Sequence, residues 1–239
     1  MRNKNRFTTS IKHEGYGKSQ ESPLSVIIPV AGMAHRMKSY GPKCLLAVNR
    51  KQSILDKIIL NIQNTFPFSE IIVVVGFEAD RVIKTLSRKI RIVENPNYKT
   101  ASIVESLRLG INNSVHDNLL IVYGDLIFNA SCLNDITKHG SSIIIDTKGK
   151  FDEEEIGVTV VDADVTRFAY GLKTKWSHIA YLEGQEFEMF NELCQNKSNN
   201  KMYPFELFNM VLTDGGSFSS IEPKGMNIKE IDSLKDMQK

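Results

Sequence analysis

The feature that most constrains the fold is the alternation of short apolar runs with amphipathic stretches over the first half of the chain. Four runs rich in Val, Ile and Leu predict β-strands: 24–30, 70–75, 90–93 and 119–123. The stretches between them repeat apolar side chains with the spacing of one helix face: 53–65, 79–87 and 102–112. Strand–helix units repeated in this way predict an α/β fold with a largely parallel sheet and helices packed on its faces.

The second half of the chain has a different pattern. Short alternating runs separated by Asp and Gly predict antiparallel strands: 156–161, 165–170 and 173–181. The other predicted elements are a helix at 131–138 that Gly140 would end, a strand at 142–145, helices at 183–195 and 204–212, and one or two closing strands within 218–230. Antiparallel strands added to a parallel core predict a mostly parallel mixed sheet in one large domain.

Charge and composition argue against several classes of protein. Residues 1–22 carry five basic and two acidic side chains and few core-forming residues, so we expect a disordered basic tail. Because the whole chain carries +2, residues 23–239 carry −1, which does not fit a nucleic-acid-binding protein. The chain has no apolar run near the ~20 residues that span a bilayer and no signal-peptide core, so we expect a cytoplasmic protein. The separated Cys44, Cys132 and Cys194 predict reduced, buried thiols.

The segment that best indicates a function follows the first predicted strand. Ala31-Gly32 leads into a loop that carries Arg36, and Pro42-Lys43 then returns the chain to an apolar run. At the carboxyl end of a strand in an open α/β sheet, a loop of small residues lets main-chain N–H groups approach a phosphate. Arg36 and Lys43 would neutralise the charge of that phosphate. An ordinary strand-to-helix turn with solvated cations is the alternative, and the loop alone does not decide between them.

Two aspartates are candidate metal ligands. Gly124-Asp125 directly follows the predicted strand at 119–123, and a carboxylate in that position commonly holds a hard cation such as Mg²⁺. Asp232 lies where a late predicted strand gives way to a final helix. A helix N-cap explains Asp232 equally well, and the two roles are compatible because a capping carboxylate keeps one oxygen free.

Together these motifs resemble one family. The segment 26–48 is similar to the signature loop of the nucleotidyltransferases that activate sugar 1-phosphates, phosphocholine and related phosphates. Residues 74–77 resemble the strand and turn that usually follow it, and 95–100 with Ser106-Leu107 resembles the nucleotide-facing segment. Gly124-Asp125 resembles the strand end that binds the metal ion in this family.

The carboxyl-terminal motif Glu230-Ile231-Asp232 resembles the second metal carboxylate of the phosphocholine cytidylyltransferase-like members. The resemblance extends over about residues 24–239 and is weak between 148 and 222, where the acceptor would be recognised. It implies a three-layer α/β/α sandwich of the nucleotide-diphospho-sugar transferase type. The implied domain covers 23–239, with a nucleotide-binding half at about 23–147 and an acceptor-binding half at about 148–239.

The resemblance also implies an activity. The enzyme would use Mg²⁺ to transfer an NMP group from an NTP, with CTP favoured over UTP, to a small phosphorylated acceptor, and pyrophosphate would be released. Phosphocholine, a phosphonate and a sugar 1-phosphate are the candidate acceptors. The implied partners are these two substrates, with no nucleic acid and no membrane span; the oligomeric state is left open.

The matched motifs imply roles for their residues, and three acceptor candidates come from the weakly matching part of the chain. Lys43 and Arg36 would be catalytic, and Asp125 and Asp232 would share the metal ion. The residues expected to bind the nucleotide are Ala31, Gly32, Met33, Ala34, Gly76, Asn95, Thr100, Ser106 and Gly124. The candidate acceptor residues are Lys173, Trp176 and Glu206, although a lone Trp is more often core and a residue such as Glu206 more often lies on a solvated helix face.

Two rival functions stay open, and one of them follows from a departure from the family pattern. The family loop usually reads Gly-x-Gly-x-Arg, and here Ala34 replaces the second glycine and adds a Cβ where the backbone approaches phosphate. A catalytically silent nucleotide-binding or regulatory relative is therefore one alternative. The other is a glycosyltransferase of the same fold, although Gly124-Asp125-Leu126 supplies only one carboxylate of the Asp-x-Asp motif that such enzymes usually need.

Overall fold

The computed structural model describes residues 23–33, 41–149, 151–233 and 236–238. The predicted tail at 1–22 and the loop positions Ala34 and Arg36 lie outside these residues. The described strands are β1 (Ser25–Pro29), β2 (Glu70–Val75), β3 (Arg91–Glu94), β4 (Leu119–Val122), β5 (Leu126–Phe128), β6 (Ser142–Asp146), β7 (Ile156–Val161), β8 (Asp164–Tyr170), β9 (Thr174–Leu182), β10 (Ser219–Ile221) and β11 (Ile228–Glu230). The described α-helices are α1 (Ile54–Thr65), α2 (Ala79–Ile83), α3 (Ile103–Ile111), α4 (Gly184–Gln195) and α5 (Pro204–Thr213).

β1 lies in the parallel part of the main sheet. It pairs in parallel with β2 on one side and with β4 on the other, and β2 pairs in parallel with β3. β9 then runs antiparallel between β4 and β6. Across the described residues the sheet has the order β3-β2-β1-β4-β9-β6-β10-β8-β7. The predicted α/β fold with a mixed sheet is confirmed, but parallel pairing is confined to β1–β4 and to the β6–β10 pair, so the sheet is more evenly mixed than the sequence predicts.

Each face of the sheet packs against its own layer, which gives the three layers. On one face, Val26 and Ile28 of β1 belong to the same buried cluster as Ile54 and Ile58 of α1. On the other face, Ile27 packs with the apolar side chains of α3, α4 and α5. The period-two alternation of a strand therefore separates consecutive residues of β1 into two cores.

The start of α1 follows from local side-chain chemistry. The Ser53 hydroxyl accepts a 3.1 Å hydrogen bond from the main-chain N–H of Asp56, and the Asp56 carboxylate accepts one of 2.9 Å from the N–H of Ser53. This capping box satisfies two N–H groups that the first helical turn leaves unpaired. Among the described helices, none combines the length and the apolarity needed to cross a membrane.

Two predicted helices differ in the structure. The helix predicted at 131–138 is a 3-10 helix, Ala130–Leu133, followed by turns, and Gly140 lies in a turn with a φ of 72°. Asn134 and Asp135 weaken helical structure there because such side chains compete for main-chain groups. The helix predicted at 79–87 ends at Ile83.

The chain after β11 also differs from the prediction. The described end of the chain is a short 3-10 helix, Asp236–Gln238. The carboxylate of Asp236 accepts hydrogen bonds from the main-chain N–H groups of Asp232 and Ser233 at 3.1 and 2.7 Å. The Asp232 carboxylate is paired with Lys43 Nζ at 3.1 Å, and its role as a helix N-cap stays a prediction because residues 234–235 lie outside the described residues.

Candidate active site

A cleft opens at the carboxyl ends of β1 and β4, beside the start of α3. The residues predicted to bind nucleotide that line it are Ala31, Gly32, Asn95, Ser106 and Gly124, and Lys43 and Asp125 line it too. It also includes Tyr98, which lies in the predicted nucleotide-facing segment 95–100, and Ser102, which the sequence interpretation did not assign to the site. The structure therefore brings the ends of two neighbouring parallel strands together in the way that ligand sites of open α/β sheets require.

Two glycines allow this close packing of strand ends. A Cβ on Gly124 would lie 2.2 Å from Cγ1 of Val30, and a Cβ on Gly76 would lie 2.8 Å from the Cβ atoms of Ala31 and Tyr98. Gly76 is buried under the loop and does not line the cleft. Its contribution is to let β2 approach Ala31, whose carbonyl accepts a hydrogen bond from the N–H of Phe77 at 3.0 Å.

The remaining predicted nucleotide residues fall into three groups. Asn95 is buried and donates a 2.9 Å hydrogen bond to the Ser106 hydroxyl, so its side-chain amide fastens β3 to α3. Met33 and Thr100 are described but are not among the residues that line the cleft, and the Thr100 hydroxyl donates to the carbonyl of Asn97 at 3.4 Å. Ala34, like Arg36, lies outside the described residues.

Lys43 joins the two candidate metal carboxylates. Its Nζ lies 3.0 Å from Oδ2 of Asp125 and 3.1 Å from Oδ1 of Asp232. The Lys43 side chain is only 16% exposed, whereas that of Asp232 is half exposed. Lys43 follows Pro42 at the start of a 3-10 helix, Lys43–Leu45, whose Cys44 is buried in the core. The short helix therefore holds Lys43 over the strand ends.

A two-stranded antiparallel sheet brings the distant aspartates together. β11 pairs with β5 so that Glu230 lies opposite Leu126, and the next N–H along, that of Ile231, donates a 2.9 Å hydrogen bond to the carbonyl of Asp125. Ile231 is fully buried. This register places Glu230 and Asp232 on either side of a buried anchor and beside Asp125.

Glu230 is a third carboxylate of the cluster, although the sequence interpretation gave it no role of its own. Carboxylate oxygens of Asp125, Glu230 and Asp232 lie within 4.8 Å of one another. Glu230 Oε2 also lies 3.3 Å from Lys175 Nζ and 3.2 Å from His178 Nδ1. The sequence could have indicated this role, because residues two apart on a strand share a face and Glu230 lies two residues before Asp232 in the motif Glu230-Ile231-Asp232.

Lys175 is paired a second time, to Glu155. Glu155 ends the acidic stretch 152–155, whose composition is typical of a solvated loop. Its carboxylate closes a chain of ion pairs that runs through Lys175 to Glu230. The sequence gives no sign of this pairing, because the two residues meet only through the folding of β7 against β9.

An irregular stretch of β9 brings His178 to the cluster. Ile143 of β6 pairs with Ala180, and Ile145 pairs with Trp176, so three residues of β9 face the single Ile144. Within this bulge His178 has a φ of 56°, and its ring stacks on Tyr123 with the centroids 4.8 Å apart. A bulge redirects side chains that regular alternation would send to the other face of the sheet.

Burial and charge together set the protonation behaviour of the cluster. Burial raises the pKa of the Asp125 carboxyl, the neighbouring Glu230 adds to this, and Lys43 opposes it. Burial would lower the pKa of Lys43, but Asp125 and Asp232 outweigh it and raise that pKa above its usual value. Burial also disfavours the charged form of Glu230, yet His178 and Lys175 lower its pKa to about 2. Each charged side chain of the cluster is thus stabilised by a neighbouring group of opposite charge.

The three predicted acceptor residues lie in different surroundings, and one of them, Trp176, needs correction. Trp176 is fully buried, and its indole N–H donates a 3.1 Å hydrogen bond to the carbonyl of Ile179, so its ring supports the β9 bulge and offers no free face to an acceptor. Lys173 is exposed, and Lys175, two residues later, is the lysine that reaches the cluster. The Glu206 carboxylate accepts a 2.7 Å hydrogen bond from the N–H of Tyr203 and caps α5.

Comparison with solved structures identifies the same architecture in nucleotide-transferring enzymes. The chain superimposes on the CTP:phosphocholine cytidylyltransferase from Streptococcus pneumoniae with a TM-score of 0.73 and 18% identity, covering 91% of this chain and 97% of that one. It superimposes on the inositol-1-phosphate CTP transferase from T. maritima with a TM-score of 0.72 and 14% identity, covering 91% and 92%. The nucleoside-diphosphate-sugar pyrophosphorylase from Vibrio cholerae RC9 gives 0.71 and 14%, covering 89% and 98%.

At these identities the likeness to solved structures shows a shared fold and no more. A search of curated proteins found no match. The family assignment comes from the sequence of the chain itself. Residues 26–170, more than half of the chain, match the MobA-like NTP transferase domain. The matched region contains Lys43, Asp125 and the strands that form the cleft. The chain therefore belongs to the family of MobA-like NTP transferase domains and is a nucleotidyltransferase.

Proposed function

We propose that this enzyme transfers a CMP group from CTP to a small phosphorylated acceptor, with Mg²⁺ bound by Asp125 and Asp232. The observation that carries the proposal is the position of Lys43, whose Nζ lies about 3 Å from both carboxylates at the edge of a cleft lined by Ala31 and Gly32. The cleft thus combines main-chain N–H groups, an ammonium group and carboxylates, which is the set that a metal-bound triphosphate requires. CTP is preferred over UTP because Glu230-Ile231-Asp232 resembles the carboxyl-terminal motif of the cytidylyltransferases, while the structural neighbours are named for both nucleotides.

The residues present fit a divalent cation. Within the described cluster, the four carboxylates of Asp125, Glu155, Glu230 and Asp232 outnumber the ammonium groups of Lys43 and Lys175, which leaves two negative charges. Oδ1 of Asp125 is buried and has no hydrogen-bond partner among the described residues. Asp125 and Asp232 are the proposed ligands, and Glu230 is close enough to join them. When bound, Mg²⁺ would neutralise phosphate charge and orient the triphosphate.

The reaction needs no covalent intermediate on the protein. A phosphate oxygen of the acceptor attacks the α-phosphorus of CTP and forms a new phosphoanhydride bond, while the bond between the α-phosphorus and the bridging oxygen breaks and pyrophosphate leaves. Lys43 would stabilise the charge that develops during this displacement. Main-chain N–H groups at Ala31 and Gly32 would hold the triphosphate, and Arg36, which lies outside the described residues, would hold its β- and γ-phosphates.

The test is release of pyrophosphate by the purified full chain. Each of CTP, UTP, ATP and GTP is supplied with Mg²⁺ and with glucose 1-phosphate, inositol 1-phosphate, phosphocholine or 2-aminoethylphosphonate. We expect acceptor-dependent release that is fastest with CTP and is lost in Asp125→Asn, while circular dichroism shows that the variant is folded. Lys148→Met, at a side chain that is 80% exposed, is the matched control and should keep full activity. Absence of release with every pair of substrates would contradict the proposal and favour a silent relative.

A further inference from the structure

The groups that surround the ammonium group of Lys175 could also bind a positively charged group of a ligand. Its ammonium group lies 3.3 Å from Glu230 Oε2 and is also paired with Glu155, and it lies 5.8 Å from the centroid of the Phe151 ring. The Lys175 side chain is only 13% exposed. Its Nζ is thus largely desolvated and lies among two carboxylates and an aromatic ring. A substituted ammonium ligand is bound by groups of the same kind.

This setting adjoins the proposed reaction centre. Glu230 belongs at once to the carboxylate cluster with Asp125 and Asp232 and to the surroundings of Lys175. Lys175 and Glu155 are not among the residues that line the nucleotide cleft. Their position outside the cleft, joined to the carboxylate cluster through Glu230, leaves them accessible to the body of an acceptor whose phosphate would attack beside Asp125.

The charge of Lys175 is already neutralised by the protein. Glu155 and Glu230 together carry two negative charges against the single positive charge of Lys175, so this lysine supplies no excess charge for holding an acceptor phosphate. A cationic acceptor would instead meet a fixed ammonium group that occupies the carboxylates it would need. Two positive charges placed together at a binding site repel each other. The ammonium group of Lys175 would therefore weaken the binding of a cationic acceptor far more than that of an uncharged one.

We propose that Lys175 is a specificity-determining residue that excludes positively charged acceptors, so that the acceptor is a phosphorylated sugar or polyol without an ammonium group. The inference rests on the proposed function, because it concerns the second substrate of that reaction. It narrows the acceptors that the sequence left open by removing phosphocholine and 2-aminoethylphosphonate. Lys175 acts by occupying the space between Glu155, Glu230 and Phe151 with the chain's own cation.

The first test uses the unmodified protein and depends on no variant. Steady-state pyrophosphate release with CTP and Mg²⁺ is measured for glucose 1-phosphate and inositol 1-phosphate against phosphocholine and 2-aminoethylphosphonate. We expect at least one of the two uncharged-headgroup acceptors to have a kcat/KM about a hundredfold or more above both cationic ones. Equal or better use of phosphocholine or 2-aminoethylphosphonate would overturn the inference while leaving the proposed nucleotidyl transfer intact.

The second test removes the ammonium group but keeps the length of the side chain. Lys175→Met should bind phosphocholine, seen as stabilisation in a thermal-shift titration, whereas the unmodified chain and the charge-conserving Lys175→Arg should not. Lys148→Met, at an exposed side chain whose nearest acidic partner is Glu222, is the control. This binding readout does not need turnover, so it still decides the inference if no nucleotide is transferred and the proposed function fails. A folded Lys175→Met that gains no affinity for phosphocholine would contradict the role given to Lys175.

Discussion

The main-chain N–H of Ile231 donates a 2.9 Å hydrogen bond to the main-chain carbonyl of Asp125. This bond ties the end of β11 to the strand end that carries the central carboxylate of the cluster. The side chain of Ile231 is fully buried in the core beneath it. The placement of Glu230 and Asp232 therefore depends on an apolar contact as well as on charge.

Ile231→Ala should weaken both the fold and the cluster. Truncating a buried isoleucine typically costs about 2–5 kcal/mol because it removes apolar contact and leaves a cavity. We expect a free energy of unfolding lower by that amount in urea titrations and a weaker response of the melting temperature to Mg²⁺. Ile83→Ala, at a residue that is 37% exposed, is the control and should change both quantities much less. An unchanged response to Mg²⁺ in a folded Ile231→Ala variant would show that β11 does not position the carboxylates.

Lys43→Met tests the two roles that the position of Lys43 implies. Without a divalent cation, the variant leaves Asp125 and Asp232 facing each other without their shared ammonium group, so we expect a lower melting temperature. Added Mg²⁺ should then raise the melting temperature more in the variant than in the unmodified chain, because it replaces the lost positive charge. Turnover should still fall about a hundredfold or more at saturating CTP, since one preorganised charge is typically worth about 3 kcal/mol in the transition state.

The control for Lys43→Met is Lys51→Met, at an exposed position, which should behave like the unmodified chain. A rise in KM with no fall in kcat would assign Lys43 to ground-state binding. An identical response of the two melting temperatures to Mg²⁺ would contradict the proposed cation site between Asp125 and Asp232.

Two glycines of the cleft offer a matched pair of substitutions. Gly124→Ala would place a Cβ 2.2 Å from Cγ1 of Val30 and 2.9 Å from the carbonyl oxygen of Pro29, so the strand end must shift. Overpacking of this kind typically costs about 1–3 kcal/mol, and we expect a lower melting temperature. A Cβ on Gly32 would meet no atom of the described residues within 4 Å, so Gly32→Ala should melt as the unmodified chain does. Equal melting temperatures for the two variants would contradict the close packing at Gly124.

The cysteines should be inert in the folded protein. Burial raises the pKa of Cys44 to about 12, and it also raises the pKa of Cys132 and of Cys194. Because only the thiolate reacts, a thiol of pKa near 12 is ionised to about one part in ten thousand at pH 8. Reaction with a chromogenic disulfide at pH 8 should therefore be slow in buffer and fast in 8 M urea (roughly the concentration that unfolds most domains). A fast phase in buffer would show that one of the three buried thiols is accessible.

Much of the fold follows from local patterns in the sequence. The runs that form β1, β2 and β4 are apolar after their first residues, Ser25 in β1 and Glu70 in β2, which is the pattern of strands covered on both faces. The capping chemistry of Ser53 places the start of α1 within one residue. The segment 131–138 was misinterpreted because its apolar spacing fits a helix while its Asn and Asp side chains favour turns.

The site was less accessible to sequence reasoning. Asp125 and Asp232 could be named from motifs, and the structure brings them to the same ammonium group, but Lys175 was passed over in favour of Lys173. Strand alternation cannot reveal the extra residues of a bulge, and the positive φ of His178 has no local signature. Residues that meet only through tertiary pairing, such as Glu155 and Lys175, leave no trace in spacing.

The pairing of β5 with β11 has a consequence for the order in which the protein becomes functional during synthesis. Asp125 and Lys43 leave the ribosome well before Glu230 and Asp232, which are separated from Asp125 by more than a hundred positions. At typical translation rates that interval lasts roughly 5 to 20 s. The parallel strands β1–β4 are complete by then, so a nascent chain would hold a shaped cleft with a single carboxylate partner for Lys43. The protein would thus become catalytically competent in one late step, when β11 pairs with β5 beside Asp125.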